Sequence, residues 1–293
     1  MAEPETAAGE GTPAGETTPA TVPAASGGNP AGEGAPAEAH AWRPERFMVI
    51  AAHPDDADFG PAATAAAWID QGSVGWLVCC TSGDQGGEDP EFDPLELARI
   101  REREQRAAAE VVGYEGVTFL HMPDGALAND LILREHLVRE IRTFKPDAVL
   151  ATDPENAFPR GAGVNHTDHR AAGWAAADAV YPAARNPMAF PWLAKSGIGK
   201  HVVRRLYFFW THRANAYVDI TATVGRKLDA LRCHESQIKD FSEVDKWIHE
   251  WSAVQGKEIG VAHADGFFHV VIDDDDEAAP QPSEAAEEGS AAS

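Results

Sequence analysis

Short apolar runs alternate with amphipathic segments along the middle of the chain. An apolar run over residues 47–52 predicts a strand buried on both faces, and further strands are predicted over 74–81, 117–121 and 148–151. Segments with helical periodicity occupy residues 60–70, 94–112, 131–144 and 170–180. This alternation predicts an α/β fold with a mostly parallel sheet and helices on both of its faces.

Polar clusters follow each of the predicted strands. His53 and Asp56 come directly after the first strand, a polar loop over 82–90 after the second, Asp124 after the third and Asp153 after the fourth. Sheets of this kind bind their ligands at the carboxyl ends of the strands. We therefore expect these side chains to share one edge of the sheet and to form the functional site.

The composition changes sharply towards both ends of the chain. Residues 1–40 and 273–293 are dominated by small, polar and acidic residues and contain no aromatic residue, Lys or Arg. Such segments bury too little apolar surface to offset their conformational entropy, so both tails are predicted to be disordered. The folded part is then predicted to be a single domain over 41–272.

Charge, cysteine content and hydropathy narrow the classes of function. The net charge of −23 at pH 7 falls to about −9 for the core once the six acidic groups of residues 1–40 and the eight of residues 273–293 are set aside, and this core charge argues against nucleic acid or an anionic membrane surface as a partner. Cys79, Cys80 and Cys233 lack CxxC spacing and support neither a disulfide framework nor a cysteine zinc site. We see neither a membrane span nor a signal peptide, and we predict a cytoplasmic protein.

The segment His53-Pro-Asp-Asp56 has the residue types of a catalytic metal site. His53 and Asp56 are three residues apart, so a single turn can direct both side chains at one ion. Catalytic zinc sites use three N or O ligands from the protein and leave one position for water. His53 and Asp56 can supply two of these ligands, and Asp55 can act beside them as a general base.

A second segment, Asn165-His-Thr-Asp-His169, repeats this arrangement at the start of a predicted helix. One of its histidines can bind the metal while the other faces the substrate. Asp168, between them, can orient a neighbouring imidazole through a ring N–H. An isolated histidine is more often structural than a ligand, but burying two such clusters without an ion would be costly.

Other features have ordinary explanations. Gly83, Gly86 and Gly87 fit neither GxGxxG nor a Walker A pattern, so we interpret them as part of a flexible loop. Tryptophans generally pack in cores, although any of several here could line a substrate cleft: Trp174, Trp192, Trp210, Trp247 and Trp251.

In order along the chain, several motifs resemble the PIG-L/LmbE-like deacetylases. The matching blocks are Ala52-His-Pro-Asp-Asp56, Thr81-Ser-Gly-Asp84, Arg101-Glu-Arg-Glu104, Met122-Pro-Asp-Gly125 and His166-Thr-Asp-His169. A weaker echo follows at His234-Glu-Ser-Gln237 and His263-Ala-Asp-Gly-Phe267. The first and fifth blocks together are specific, whereas the blocks between them are individually weak.

This resemblance implies a Rossmann-like fold and one Zn²⁺ bound by His53, Asp56 and His169. It implies that Asp55 is the general base. It also implies that His166 either protonates the leaving amine or stabilises the oxyanion.

Two further positions match residues that hold substrate hydroxyls in the sugar-specific members of the family. These are Arg101 and Asp124, and the resemblance implies the same role for them here. Many members have Glu directly after the two aspartates, whereas this chain has Ala57 and then Asp58. That position is not a metal ligand in the family pattern, so the difference concerns local structure more than chemistry.

The sequence therefore predicts a zinc-dependent hydrolase that removes an acyl group from an amide nitrogen of an amino sugar or related small metabolite. A metal-dependent phosphoesterase is one alternative, because His/Asp clusters at strand ends also serve phosphoryl transfer. A non-catalytic binding protein on the same fold is the other. The acyl substrate and the oligomeric state stay open.

Overall fold

A seven-stranded sheet forms the centre of the computed structural model, which describes residues 42–159 and 163–273. Its strand order is β3-β2-β1-β4-β5-β7-β6. The first five strands are mutually parallel, and β7 runs antiparallel to both β5 and β6. The bounds are β1 Arg46–Ala51, β2 Val74–Thr81, β3 Gly116–Met122, β4 Ala148–Thr152, β5 Arg205–Phe209, β6 Ala216–Asp219 and β7 Ala264–Val271.

Helices flank this sheet. They are α1 Asp56–Phe59, α2 Ala62–Asp70, α3 Pro94–Val112, α4 Leu131–Phe144, α5 Thr167–Asp178, α6 Pro191–Lys195, α7 Val224–Leu231 and α8 Phe241–Gly256, with a π-helical segment Ala179–Ala184 after α5. Several begin at residues with strong capping side chains: Asp93 accepts a hydrogen bond from Leu95 N, and Asp130 accepts from two amides of α4.

The apolar strands separate two layers of core. On one face, Ile50 and Val149 pack with buried residues of α4 and α5. On the other face, Phe47 and Leu77 pack with residues of α2 and α3. This two-sided burial explains why the central strands β1 and β4 appear in the sequence as continuous apolar runs, whereas β3, at the sheet edge, is mostly only half-buried. The predicted α/β class, with a mostly parallel sheet flanked by helices, is confirmed.

The strand order reverses direction at β1, which lies between β2 and β4. β1 and β4 are parallel neighbours with Ile50 opposite Ala151, so their carboxyl ends lie side by side. A crevice opens at such a switch point because the connections from the two strands leave in opposite directions. The loop after β1 carries the His53–Asp56 motif, and the loop after β4 leads to His166 and α5.

The structure differs from the predicted elements in a few places. The helix predicted over 60–70 starts at Ala62 and is preceded by the short α1. α5 starts at Thr167 rather than 170, because the His166 side chain caps it. The strands and helices after residue 200 were not predicted: β5, β6, β7, α7 and α8.

The predicted disordered tails lie outside the described residues, apart from Asp273, which accepts a hydrogen bond from Arg185. The domain bounds stay a prediction. Among residues 42–159 and 163–273, no helix combines the length and apolar character that crossing a membrane requires.

Candidate active site

Asp56 connects the two sequence motifs. Its Oδ2 accepts hydrogen bonds from the backbone amides of Ala52, at 3.0 Å, and His53, at 2.8 Å. Its Oδ1 lies 3.0 Å from His169 Nε2, and Oδ2 lies 3.5 Å from His53 Nδ1. Burial raises the pKa of Asp56, but the two imidazoles outweigh burial and hold it well below its ordinary value. The carboxylate is therefore fixed in the ionised form that a metal requires.

Three imidazoles converge beside this carboxylate. One ring nitrogen from each of His53, His166 and His169 lies within 4.8 Å of the others. The ring centroids of His53 and His169 are 5.2 Å apart, and those of His53 and His166 are 4.8 Å apart. The structure thus brings together all three predicted ligands, His53, Asp56 and His169, although His169 is far from the other two in the chain.

A buried group of carboxylates gives this corner its electrostatic character. His53 Nε2 lies 3.1 Å from Asp124 Oδ1 and 3.4 Å from Asp168 Oδ2. Burial lowers the pKa of His53, but its hydrogen bonds with Asp124 and Asp56 outweigh burial and raise the pKa to about 11. The corner thus stabilises a positive charge strongly. Imidazole and carboxylate groups that together stabilise a positive charge fit a divalent ion such as Zn²⁺.

The Asp168 carboxylate faces His53, from the first motif, rather than a histidine of its own motif. Its Oδ2 accepts from Gly125 N at 2.7 Å, and its Oδ1 accepts from Leu127 N at 3.1 Å. Its Oδ2 faces His53 Nε2 rather than a ring nitrogen of His166. This geometry is suited to fixing the orientation of His53 through the nitrogen that points away from Asp56.

His166 is held by its own helix. Its Nδ1 accepts a hydrogen bond from Asp168 N at 3.2 Å, which caps α5. Burial and the nearby histidines His53 and His169 lower the pKa of His166. In the neutral ring, an accepting Nδ1 leaves the proton on Nε2. His166 can therefore present an N–H donor to the cleft even when it is uncharged.

Asp55 lies next to the proposed ligands but outside their set. Its backbone has φ of 95°, a left-handed conformation that is uncommon for a residue with a side chain. Its Oδ2 accepts a hydrogen bond from Arg101 Nη2 at 3.0 Å. Burial raises the pKa of Asp55 to about 6, although Arg101 acts in the opposite direction. A carboxylate with a pKa near neutrality is well placed to accept a proton.

Arg101 reaches the cleft from α3. Besides Asp55, its guanidinium donates to the backbone oxygens of Pro54, at 2.6 Å, and Gly83, at 3.0 Å. Both Arg101 and Asp124 line the cleft, yet both are buried and already bonded to protein groups. Contact of these two residues with substrate hydroxyls stays a prediction, and the structure adds the roles of holding Asp55 and facing His53.

The cleft above these residues has a volume of about 1010 Å³, at the upper end for small-molecule sites. We call the chemical residues at its base the floor: His53, Asp55, Asp56, His166 and His169. We call the α8 residues on one side the wall: Glu243, Val244, Lys246, Trp247 and Glu250. Phe59 and Trp210 complete the apolar part of the lining.

Of the tryptophans considered in the sequence, Trp210 and Trp247 line this cleft. The Trp247 ring lies 6.1 Å from Phe59, and the Trp210 ring lies 5.2 Å from His169. The remaining wall residues were not expected from the sequence. The 3.6-residue periodicity of α8, which sets residues 243, 247 and 250 on one side, is the feature that could have suggested them.

Comparison with known proteins connects this chain to one family. The model of the family described as PIG-L: GlcNAc-PI de-N-acetylase matches residues 48–180. A diacetylchitobiose deacetylase from Thermococcus kodakarensis is 30% identical over 228 residues, which cover 76% of this chain and 82% of the relative.

Solved structures agree on the fold. N,N'-diacetylchitobiose deacetylase from Pyrococcus horikoshii superposes with a TM-score of 0.72 and 28% identity, over 78% of this chain and 84% of that one. The 4-carboxy-2-hydroxymuconate hydratase GalB from Pseudomonas putida has a TM-score of 0.65 at 21% identity, over 78% and 97%. That likeness shows the fold alone. The matched motifs and the extent of the Thermococcus match place this chain in the PIG-L family of amide hydrolases.

Proposed function

We propose that this chain is a metal-dependent N-deacetylase that hydrolyses the acetamido group of an amino sugar. The observation that carries the proposal is the floor: an N/O ligand set beside a carboxylate that is itself not a ligand. Asp56 faces His53 and His169, while the Asp55 carboxylate bonds to Arg101 instead. Hydrolysis by an activated water needs both parts, the ion and the base.

His53, Asp56 and His169 are the residues that would hold the ion, and the donor set favours zinc. When bound, zinc supplies a Lewis acid that polarises the amide carbonyl and lowers the pKa of water. Asp55 accepts the proton of the attacking water. His166 donates a hydrogen bond from Nε2 to the developing oxyanion or, as the imidazolium, transfers a proton to the departing nitrogen while the C–N bond breaks, so that the products are a carboxylate and an amine.

The substrate class follows from the cleft and from the relatives. Two relatives in the comparison are named for deacetylation of diacetylchitobiose. The apolar faces of Trp210 and Trp247 in the lining are suited to stacking against a sugar ring. The acidic wall residues Glu243 and Glu250 favour a neutral or cationic sugar over an anionic one. The cytoplasmic location predicted from the sequence is part of this proposal.

The test is a metal analysis of the purified protein combined with a screen for free-amine release. N-acetylglucosamine, N,N'-diacetylchitobiose and a phosphomonoester serve as probes. Amine release that stops on chelation and returns with Zn²⁺ supports the proposal. Phosphate release without amine would favour the phosphoesterase, and a metal-free protein that turns over none of the probes would favour a binding protein.

A further inference from the structure

We propose that Gln105, supported by Asp58 and His234, is a positioning residue that holds the general base Asp55 in its working conformation. This inference rests on the proposed function, because it assigns a purpose to the conformation of Asp55. Gln105, Asp58 and His234 lie behind the floor and are not part of the cleft lining.

The need for a positioning residue follows from the backbone of Asp55. A residue with a side chain at φ of 95° carries backbone strain and persists only where its surroundings enforce it. The Asp55 carbonyl is tied to α1 by the amides of Asp58 and Phe59, both at 2.9 Å. The opposite side of the residue, its N–H, donates to Gln105 Oε1 at 2.7 Å. The hydrogen bond to Gln105 thus keeps Asp55 in the left-handed conformation, from which its backbone could otherwise relax.

Gln105 and Arg101 act from the same helix face. They are four residues apart on α3, so both side chains point towards the loop after β1. Arg101 binds the carboxylate of Asp55, whereas Gln105 binds its backbone. The two contacts together hold both the carboxylate and the backbone of Asp55.

Gln105 is itself held by a buried pair. Its Nε2 donates to Asp58 Oδ2 at 2.7 Å, and the same oxygen lies 2.8 Å from His234 Nε2. Gln105, Asp58 and His234 are all fully buried. Burial lowers the pKa of His234, but the hydrogen bond and the charge of Asp58 outweigh burial and raise it. The amide of Gln105 therefore has only one favourable orientation, with Oε1 towards Asp55.

This arrangement accounts for two sequence features that the proposed metal site leaves unexplained. Asp58 is the acidic residue that follows the motif after one intervening alanine, and His234 opens the weaker His234-Glu-Ser-Gln237 block. The structure joins them through Gln105, although they are widely separated in the chain.

The proposed ligand Asp56 is held by contacts that do not involve Gln105, Asp58 or His234. Asp56 Oδ2 accepts from the amides of Ala52 and His53, and neither contact involves Gln105. Loss of Gln105 should therefore disturb the base and spare the ion. A role confined to overall stability would not produce this separation.

The experiment compares Gln105→Met, which keeps the volume but removes the acceptor, with Val138→Ala, a buried core change on the opposite face of the sheet. We expect Gln105→Met to lower kcat by about 10- to 100-fold at unchanged KM and metal content, because small misplacements of a reacting group cost that much. We expect Val138→Ala to lose stability without a comparable loss of kcat. Hydrogen exchange at the Asp55 amide should be faster in Gln105→Met by about tenfold.

A second pair of variants tests the support behind Gln105. Asp58→Asn keeps an oxygen that can accept from Gln105 and His234, and it should retain at least about tenfold more kcat than Asp58→Ala. Equal kcat for the two Asp58 variants overturns the proposal. So does amide exchange at Asp55 that is the same in Gln105→Met and Val138→Ala, or metal content that falls in step with kcat.

The exchange measurement separates this inference from the proposed function. A wild-type protein that releases no amine from any probe, but whose Asp55 amide loses protection in Gln105→Met, contradicts the proposed function and leaves the positioning of Asp55 intact.

Discussion

The floor and the wall of the cleft are built in different ways. Floor residues lie directly after β1 and at the start of α5, beside the point where strand order reverses, and each of their side chains makes at least one polar contact with another protein group. Wall residues come from α8, and the side chains of Glu243, Lys246 and Glu250 are exposed. The floor is therefore suited to chemistry that tolerates little movement. The wall is suited to selecting a substrate, because exposed side chains can change without loss of the fold.

The largest expected effect tests whether the floor depends on its ion. His169→Ala removes one proposed ligand, and we expect it to lower both metal content and kcat/KM, the latter by about 10³-fold or more, because Lewis-acid catalysis contributes several kcal/mol. Metal analysis and amine release measure the two effects. His212→Ala, which alters a histidine outside the floor, is the control. Full activity of His169→Ala would contradict the predicted ligand set.

Removing the base should separate turnover from metal binding. Asp55→Asn retains a residue that tolerates a left-handed backbone, so the local fold should survive. We expect kcat to fall by about 10²- to 10⁴-fold, the usual contribution of a general base, with the metal content unchanged. Near wild-type turnover in this variant would show that Asp55 is not the base.

A change in the wall should affect substrate binding rather than the chemical step. We expect Trp247→Ala to raise KM for diacetylchitobiose by about tenfold with little change in kcat, because it removes a stacking surface without disturbing the floor. Trp192→Ala is the matched control, since Trp192 is exposed on α6 outside the cleft. A decrease in kcat without a change in KM would instead indicate that Trp247 affects the chemical step.

The smallest effect is expected for the acidic wall residues. The double variant Glu243→Gln/Glu250→Gln should change KM by no more than about threefold for an amino-sugar substrate, because exposed charges are weakened by water and salt. The difference from wild type should shrink further as ionic strength rises. A large, salt-independent change in KM would show that these carboxylates contact the substrate directly.

The floor could be predicted from the sequence more completely than the wall. Parallel strands buried on both faces appear as apolar runs, and the polar residues directly after them share one edge of the sheet by topology. The two motifs His53–Asp56 and His166–His169 therefore lie together as expected. The wall depends on how α8 packs against β6, β7 and α7, which local patterns do not specify.

The sequence also does not predict which side chains pair with each other in and behind the floor. The residues around Asp168 indicate that it can orient an imidazole, but the fold decides that this imidazole is His53. Gln105 sits in a charged helix where local composition gives it no special status. Its four-residue spacing from Arg101 places the two side chains on one face of α3. The role of Gln105 becomes visible only from its buried contact with Asp58, which also contacts His234.

The two oxygens of Asp56 have separate duties. One is tied to the backbone amides at the end of β1, and the other is turned towards His169. Two main-chain amides therefore hold the Asp56 carboxylate, so its direction towards His169 is a property of the turn after β1 as much as of the side chains around it.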